Sequence, residues 1–82
     1  LPTADIEKSE LDAGYLVAAA FSLAGLTKSN GDARRMIKQG AARVNDVPVS
    51  DQNATLKLAD LNEDGAIKLS AGKKRHALIR LR

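Results

Sequence analysis

Between Leu26 and Val49 the sequence LTKSNGDARRMIKQGAARVNDVPV leaves room for little except a short helix running straight into a tight hairpin. Ser29 offers a side-chain oxygen at a helix N-cap. Asp32, three residues on, stands where a carboxylate closes a capping box and complements the helix dipole. Ala33, Met36, Ile37 and Gly40 recur at i, i+3, i+4 and i+7, the spacing of one buried stripe, which predicts a helix over Asn30 to Gln39. Arg34, Arg35 and Lys38 fall outside the stripe, and Lys28 lies just before the cap. Gly40 provides the backbone freedom at which helices commonly stop. Two short strands, Ala42 to Val44 and Val47 to Val49, then flank Asn45-Asp46, two residues that tolerate the positive φ of a two-residue hairpin turn. Pro48 cannot donate to a ladder, so its strand belongs at a sheet edge.

The remaining elements are read by the same rules. Residues 1–11, with Pro2, scattered acids and no apolar period, read as a flexible linker preceding a folded unit over 12–82. A first helix is predicted from Asp12 to Ala24, with Leu16, Val17, Ala20, Phe21 and Ala24 on its buried side. Gly25-Leu26 is its stop, with the leucine packing back. Leu56 and Leu58 alternate like a strand fragment, 58–61 suits a single helical turn, and Asn62-Glu63-Asp64-Gly65 is a turn by composition. Ala66 to Leu69 and Ala77 to Leu81 are strands joined by a Ser70-to-Lys74 loop. In the second of them Ala77, Ile79 and Leu81 share one face, and Leu78, Arg80 and Arg82 the other. The fold class is therefore α+β: two helices packed on a small, mostly antiparallel sheet.

Charge distribution says more than its total. The net charge over 82 residues is only +3. Yet Lys28, Arg34, Arg35, Lys38 and Arg43 face Asp32 alone across residues 26–43, and residues 66–82 hold Lys68, Lys73, Lys74, Arg75, Arg80 and Arg82 without an acid. Between these basic blocks, residues 44–65 set five acids against Lys57. Two basic segments folded onto one face would form the electrostatic footprint of a nucleic-acid binder; two separate solvated surfaces are the alternative. Tyr15 and Phe21 are the only aromatics, so stacking platforms for single-stranded RNA are lacking, and backbone, shape and 2′-hydroxyl contacts to folded RNA remain. The absence of cysteine excludes disulfides and thiolate metal sites, which suits a reducing cytoplasm. His76 stands alone, so a metal centre is not expected, and no Ser/His/Asp or paired-carboxylate set has catalytic spacing. The longest apolar run, Leu16 to Phe21, is too short to span a bilayer. The acidic opening lacks a signal-peptide pattern, and a chain beginning with Leu1 reads as a piece of a longer protein.

The run from Leu26 through Lys28-Ser29, Ala33-Arg34-Arg35, Ile37 and Gly40 to Val44-Asn45 resembles the RNA-binding domain named after small-subunit ribosomal protein S-four. Ala-Gly-Leu-Thr-Lys-Ser before the helix, and Gly72-Lys73-Lys74 before the final Ala-Leu-Ile strand, look most like the version at the C-terminus of bacterial tyrosyl-tRNA synthetases. The resemblance covers about Tyr15 to Arg82. Asp46 departs from it, standing where the family usually has Gly, and so does Ala41-Ala42, which replaces a Gly-Val entry to the strand.

This resemblance implies an S-four-like fold and a non-catalytic module. It would grip tRNA, specifically tRNA(Tyr), near the anticodon stem and long variable arm. Tyrosine activation by ATP would belong to an upstream domain of a homodimeric cytoplasmic ligase, while the isolated piece would be a monomer with no cofactor of its own. No His-x-Gly-His motif is present, and Lys68-Leu69-Ser70 is only a partial echo of Lys-Met-Ser-Lys-Ser. An S-four-like module for ribosomal RNA, in a ribosome-associated protein or a pseudouridine synthase, is the nearest alternative; a protein–protein adaptor is a more distant one.

The candidate RNA contacts are Arg34, Arg35 and Lys38 on the helix, Lys28 and Ser29 before it, and Lys73, Lys74 and Arg75 on the last loop, with Arg43 weaker because its strand position could turn it away. For Ser29, capping alone is the simpler role, and for the lysines a solvated surface is the plain alternative.

Overall fold

The computed structural model describes residues 2–82. Their elements are β1 (Thr3–Ile6), α1 (Lys8–Ala13), β2 (Tyr15–Leu16), α2 (Val17–Leu23), α3 (Asn30–Lys38), β3 (Ala42–Val44), β4 (Val47–Pro48), β5 (Thr55–Leu56), a single 3₁₀ turn at Leu58–Asp60, β6 (Ala66–Ala71) and β7 (Arg75–Leu81). Five strands form one sheet in the order β1-β7-β6-β3-β4, and β2 pairs with β5 separately. Every pairing in the larger sheet is antiparallel except β1 with β7. The α+β class with α2 and α3 layered on a mostly antiparallel sheet is thus the observed one.

Alternation explains which face is covered. Ile67, Leu69 and Ala71 of β6 lie opposite Ile79, Ala77 and Arg75 of β7, and all of these but Arg75 are buried. Across this face sit Val17, Ala18, Ala20 and Phe21 of α2 with Ala33 and Ile37 of α3. Alanines at 18, 20 and 33, all fully buried, let the two helices approach closely while Phe21 fills the space between the layers. Both helices end in the same way. Gly25 and Gly40 take φ of 80°, Leu26 N–H donates to Phe21 C=O and Ala41 N–H to Met36 C=O, the six-to-one bonds of a Schellman close. Leu26 is buried by this reversal, as its position after the glycine predicts.

Two readings of the N-terminal part are corrected. Residues 3–11 are not a flexible linker: Thr3–Ile6 pairs in parallel with β7 from Leu78 to Leu81, and Ile6 is 1% exposed. The alternation of Ala4 and Ile6 with Thr3 and Asp5 is that of a half-buried strand, too short to stand out among acids. Likewise, the single helix expected over 12–24 is interrupted: the range holds the end of α1, the β2 strand and then α2 from Val17. Gly14, at φ 94°, ends α1 with its N–H on Leu11 C=O at 3.0 Å, and a Cβ there would meet Thr55 Oγ1 at 3.4 Å. Tyr15 and Leu16 then pair with β5, and α2 begins at Val17, whose N–H reaches Ala54 C=O at 2.9 Å. Leu11, fully buried, is the residue that docks α1. Burial raises the Tyr15 phenol pKa above its ordinary value, with the Glu10 carboxylate adding to the rise, so this group stays protonated through the neutral range.

A strand and a tether respond differently to truncation of one side chain. Ile6→Ala is expected to destabilise the domain by about 2–5 kcal/mol, measured by urea unfolding; a change within about 0.5 kcal/mol, as at an exposed site, would return these residues to linker status.

Candidate nucleic-acid interface

The local chemistry of α3 sets the first half of the surface. Ser29 is the N-cap, its Oγ accepting from Asp32 N–H at 3.1 Å. Asp32 does not complete the capping box; its Oδ1 instead pairs with Arg35 Nη2 one turn along. At about 100° per residue, Arg35 sits opposite the buried Ala33–Ile37 stripe, at the crest of the helix. Asp32 and Met36 occupy one flank, and Arg34 and Lys38 the other. All three cations are exposed.

The second half comes from the turn between β6 and β7. Gly72, at φ 69°, reverses the chain, and its N–H donates to Ala41 C=O at 2.9 Å, tying the turn to the exit of α3. Arg43 lies in register with Ser70 on the sheet face away from the helices, yet its Nη2 reaches around to Gly72 C=O at 2.7 Å. Arg75, in register with Ala71, is on the helix-covered face at the end of the sheet. Its guanidinium donates to Gly25 C=O at 3.4 Å, a weak bond that leaves most of the fork open. Lys73 and Lys74 are exposed at the tip.

The outcome is a partial convergence. Lys28, Asp32, Met36 and Arg75 line one concavity with Gly25, Leu26 and Thr27, and Lys74 lines a second that shares Gly25, Leu26 and Arg75 with the first. Arg35 adjoins this group through Asp32, and Arg43 abuts the same turn from the other sheet face. Arg34 and Lys38 are not brought into the concavity; they extend the positive surface around the far flank of α3. Among the described residues Lys28, Arg34, Lys38, Lys73, Lys74 and Arg75 have no carboxylate within 4.0 Å, whereas Lys68 is held by Asp46 at 3.2 Å and Arg82 by Glu7 at 3.3 Å. Lys8, Arg43, Lys57 and Arg80 also lack a carboxylate partner among the described residues, so the unpaired cations are concentrated around α3 and the β6–β7 turn without being confined to them.

Sequence reasoning missed the braces behind this surface. Asn45 and Asp46 adopt φ of 51° and 68°, the turn foreseen between β3 and β4. Asn45 also fastens that hairpin to its neighbours: its Nδ2 donates to Asp60 C=O at 2.6 Å and its Oδ1 accepts from Lys68 N–H at 3.0 Å. Ser70, fully buried, meets His76 Nδ1 at 2.9 Å. A cross-strand pair at a distance of six residues gives a single sequence no signal beyond strand alternation. Among the described residues no group of three or more His, Cys, Asp or Glu side chains could hold a metal ion, and no helix is long and apolar enough to cross a membrane.

A family model described as the Tyrosine–tRNA ligase SYY-like C-terminal domain matches residues 1–79. A tyrosine–tRNA ligase of Rhodopseudomonas palustris is 55% identical over 82 residues, covering 99% of this chain and 20% of that protein. Those of Bradyrhizobium diazoefficiens and Brucella abortus are 56% and 51% identical over 80 residues, each covering 98% of this chain and 19% of the relative. The chain thus spans about a fifth of the length of these relatives.

Asp46 tests the hairpin that supports the interface. A non-glycine residue in the left-handed region costs up to about 1–2 kcal/mol, with Asp at the low end, against an exposed ion pair worth less than about 1 kcal/mol. Asp46→Gly is accordingly expected to raise the thermal midpoint by a few degrees, at about 4–8 °C per kcal/mol for a domain of this size. A lower midpoint in calorimetry would mean that the Lys68 pair outweighs the strain.

Proposed function

Because this chain belongs to the Tyrosine–tRNA ligase SYY-like C-terminal domain family, we propose that it is the RNA-gripping module of such a ligase and that its ligand is tRNA(Tyr). In this reading the module holds the anticodon stem and the long variable arm through its basic surface. Tyrosine activation by ATP, and transfer to the tRNA, belong to the remainder of a homodimeric cytoplasmic enzyme. The module itself is a non-catalytic monomer that needs no cofactor.

The observation that carries the reading is the set of unpaired cations drawn from separate segments: Lys28 before α3, Arg34 and Lys38 on it, Lys73 and Lys74 on the β6–β7 turn, and Arg75 at the start of β7, in one concavity with Lys28. Arg35, although paired with Asp32, keeps a side chain 72% exposed. Guanidinium forks suit phosphate oxygens, and ammonium groups add charge without demanding geometry. Ser29 serves this surface as the cap that orders α3 rather than as a direct contact, and Arg43 serves it by holding the turn at Gly72. Folded RNA fits such a surface better than a single strand does, since the only aromatics, Tyr15 and Phe21, are respectively half-buried and fully buried.

Competition binding tests the reading. A tRNA with the long variable arm is expected to outcompete both a tRNA lacking it and a ribosomal RNA fragment; equal binding to all three would overturn the assignment. If about five phosphates are engaged, the logarithm of the affinity should fall by roughly 3–5 for each tenfold rise in salt. A slope near zero would remove the electrostatic basis of the proposal.

A further inference from the structure

The concavity beside Arg75 is more than a patch of positive charge. It is an open hollow of about 540 Å³ between the α2–α3 corner, the first turns of α3 and the start of β7. Its walls differ in chemistry. Lys28 and Arg75 bring cations, and neither has a carboxylate partner among the described residues. Half-buried Met36 brings apolar surface, its thioether being suited to lie against a flat polarisable ring, while Leu26 closes the floor from the core. Asp32 brings a carboxylate, an acceptor at both oxygens, steadied by Arg35 on Oδ1 and by its place at the head of α3. A second hollow of about 270 Å³, lined by Lys74, Arg75 and His76, continues the groove on the other side of Arg75.

Asp32 complements the head of α3 and pairs with Arg35 through Oδ1, and it also lines this concavity beside the two cations. We propose that this concavity is a nucleotide-reading subsite: a single unstacked nucleotide lodges here, its phosphate between Lys28 and Arg75, its base against Met36, and its edge on Asp32. The subsite rests on the RNA-binding reading above and adds base selectivity to it. An acceptor-only group selects bases whose edges present donors. Guanine presents N1–H and the N2 amine side by side, one for Oδ2 and one for Oδ1 alongside its Arg35 pair. Uracil offers one N–H flanked by two carbonyls, which the carboxylate repels. Unpaired bases in RNA loops are read in this way, on their Watson–Crick edges. The strand then continues over Arg75 into the second hollow, where Lys74 meets the next phosphate.

Nuclear magnetic resonance titration of the isotope-labelled 82-residue chain tests the subsite, with 5′-GMP, 5′-UMP and inorganic phosphate as separate probes. GMP is expected to bind about fivefold or more tighter than UMP, the lower end of what a bidentate base contact provides, and to shift the amide signals of Gly25 to Lys28, Asp32, Met36 and Arg75. Asp32→Asn, which keeps the shape but removes the charge and replaces one of the two acceptor oxygens by an NH2 donor, should equalise GMP and UMP. Met36→Ala should weaken both nucleotides more than phosphate, and it reports on the subsite even if the Asp32 variant disturbs α3. Equal affinities for GMP, UMP and phosphate, or shifts confined to another part of the molecule, would overturn the inference. A chain that binds tRNA yet shows no nucleotide preference would refute the subsite alone, whereas failure to bind tRNA would refute the proposed function.

Discussion

The tie between Gly72 and Ala41 is the constraint on which the arrangement of this surface depends. Gly72 N–H reaches the carbonyl just past the end of α3, and Arg43 clasps the Gly72 carbonyl from the other side. The β6–β7 hairpin is thereby fixed in position as well as in pairing: its turn lies against the exit of α3, and Arg75, the first residue of β7, faces the approach to the same helix. Charges more than thirty residues apart in sequence become neighbours because a backbone bond and an arginine fork hold the turn. Every side chain at the tip is free to act, since the holding is done by main-chain atoms and by Arg43.

The sheet behind the turn adds rigidity. β6 and β7 are central, flanked by β3 on one side and by the parallel β1 on the other, so neither edge of the hairpin is open to slippage. Register is set by burial: moving β7 by one residue would bring Leu78 and Arg80 to the helix layer in place of Ala77 and Ile79. The acidic segment between the basic blocks is spent locally. Asp46 holds Lys68, Asp60 caps the 3₁₀ turn through Lys57 N–H, and Asp51 closes its own turn on Asn53 N–H. Three of the five acids in this segment are thus engaged within it or with Lys68, away from the turn and α3.

Much of this was legible in the residues, for identifiable reasons. α3, its cap, its glycine stop and the Asn45-Asp46 turn are local features, and local rules recovered them within a residue. The strands β6 and β7 were found from alternation, although their shared turn is tighter than the Ser70-to-Lys74 loop expected. Failures came where distant partners decide. Thr3–Ile6 is a strand only because β7 offers it an edge, and Gly14 breaks a helix where β5 takes up Tyr15 and Leu16. For the site, the list of cations was readable but their grouping was not. Helical geometry does place Arg34 and Lys38 on one flank and Asp32 on the other, whereas the meeting of Lys28 with Arg75 depends on the tie at Gly72.

A lysine acetylation footprint, read by mass spectrometry with and without saturating tRNA, addresses the central claim most directly: that separate segments act as one RNA-facing surface. The account predicts protection of Lys28, Lys73 and Lys74 together, at the same tRNA concentration, with Lys8 and Lys57 labelled as in the free protein. Protection of Lys8 or Lys57, or protection of Lys28 without Lys73 and Lys74, would contradict it.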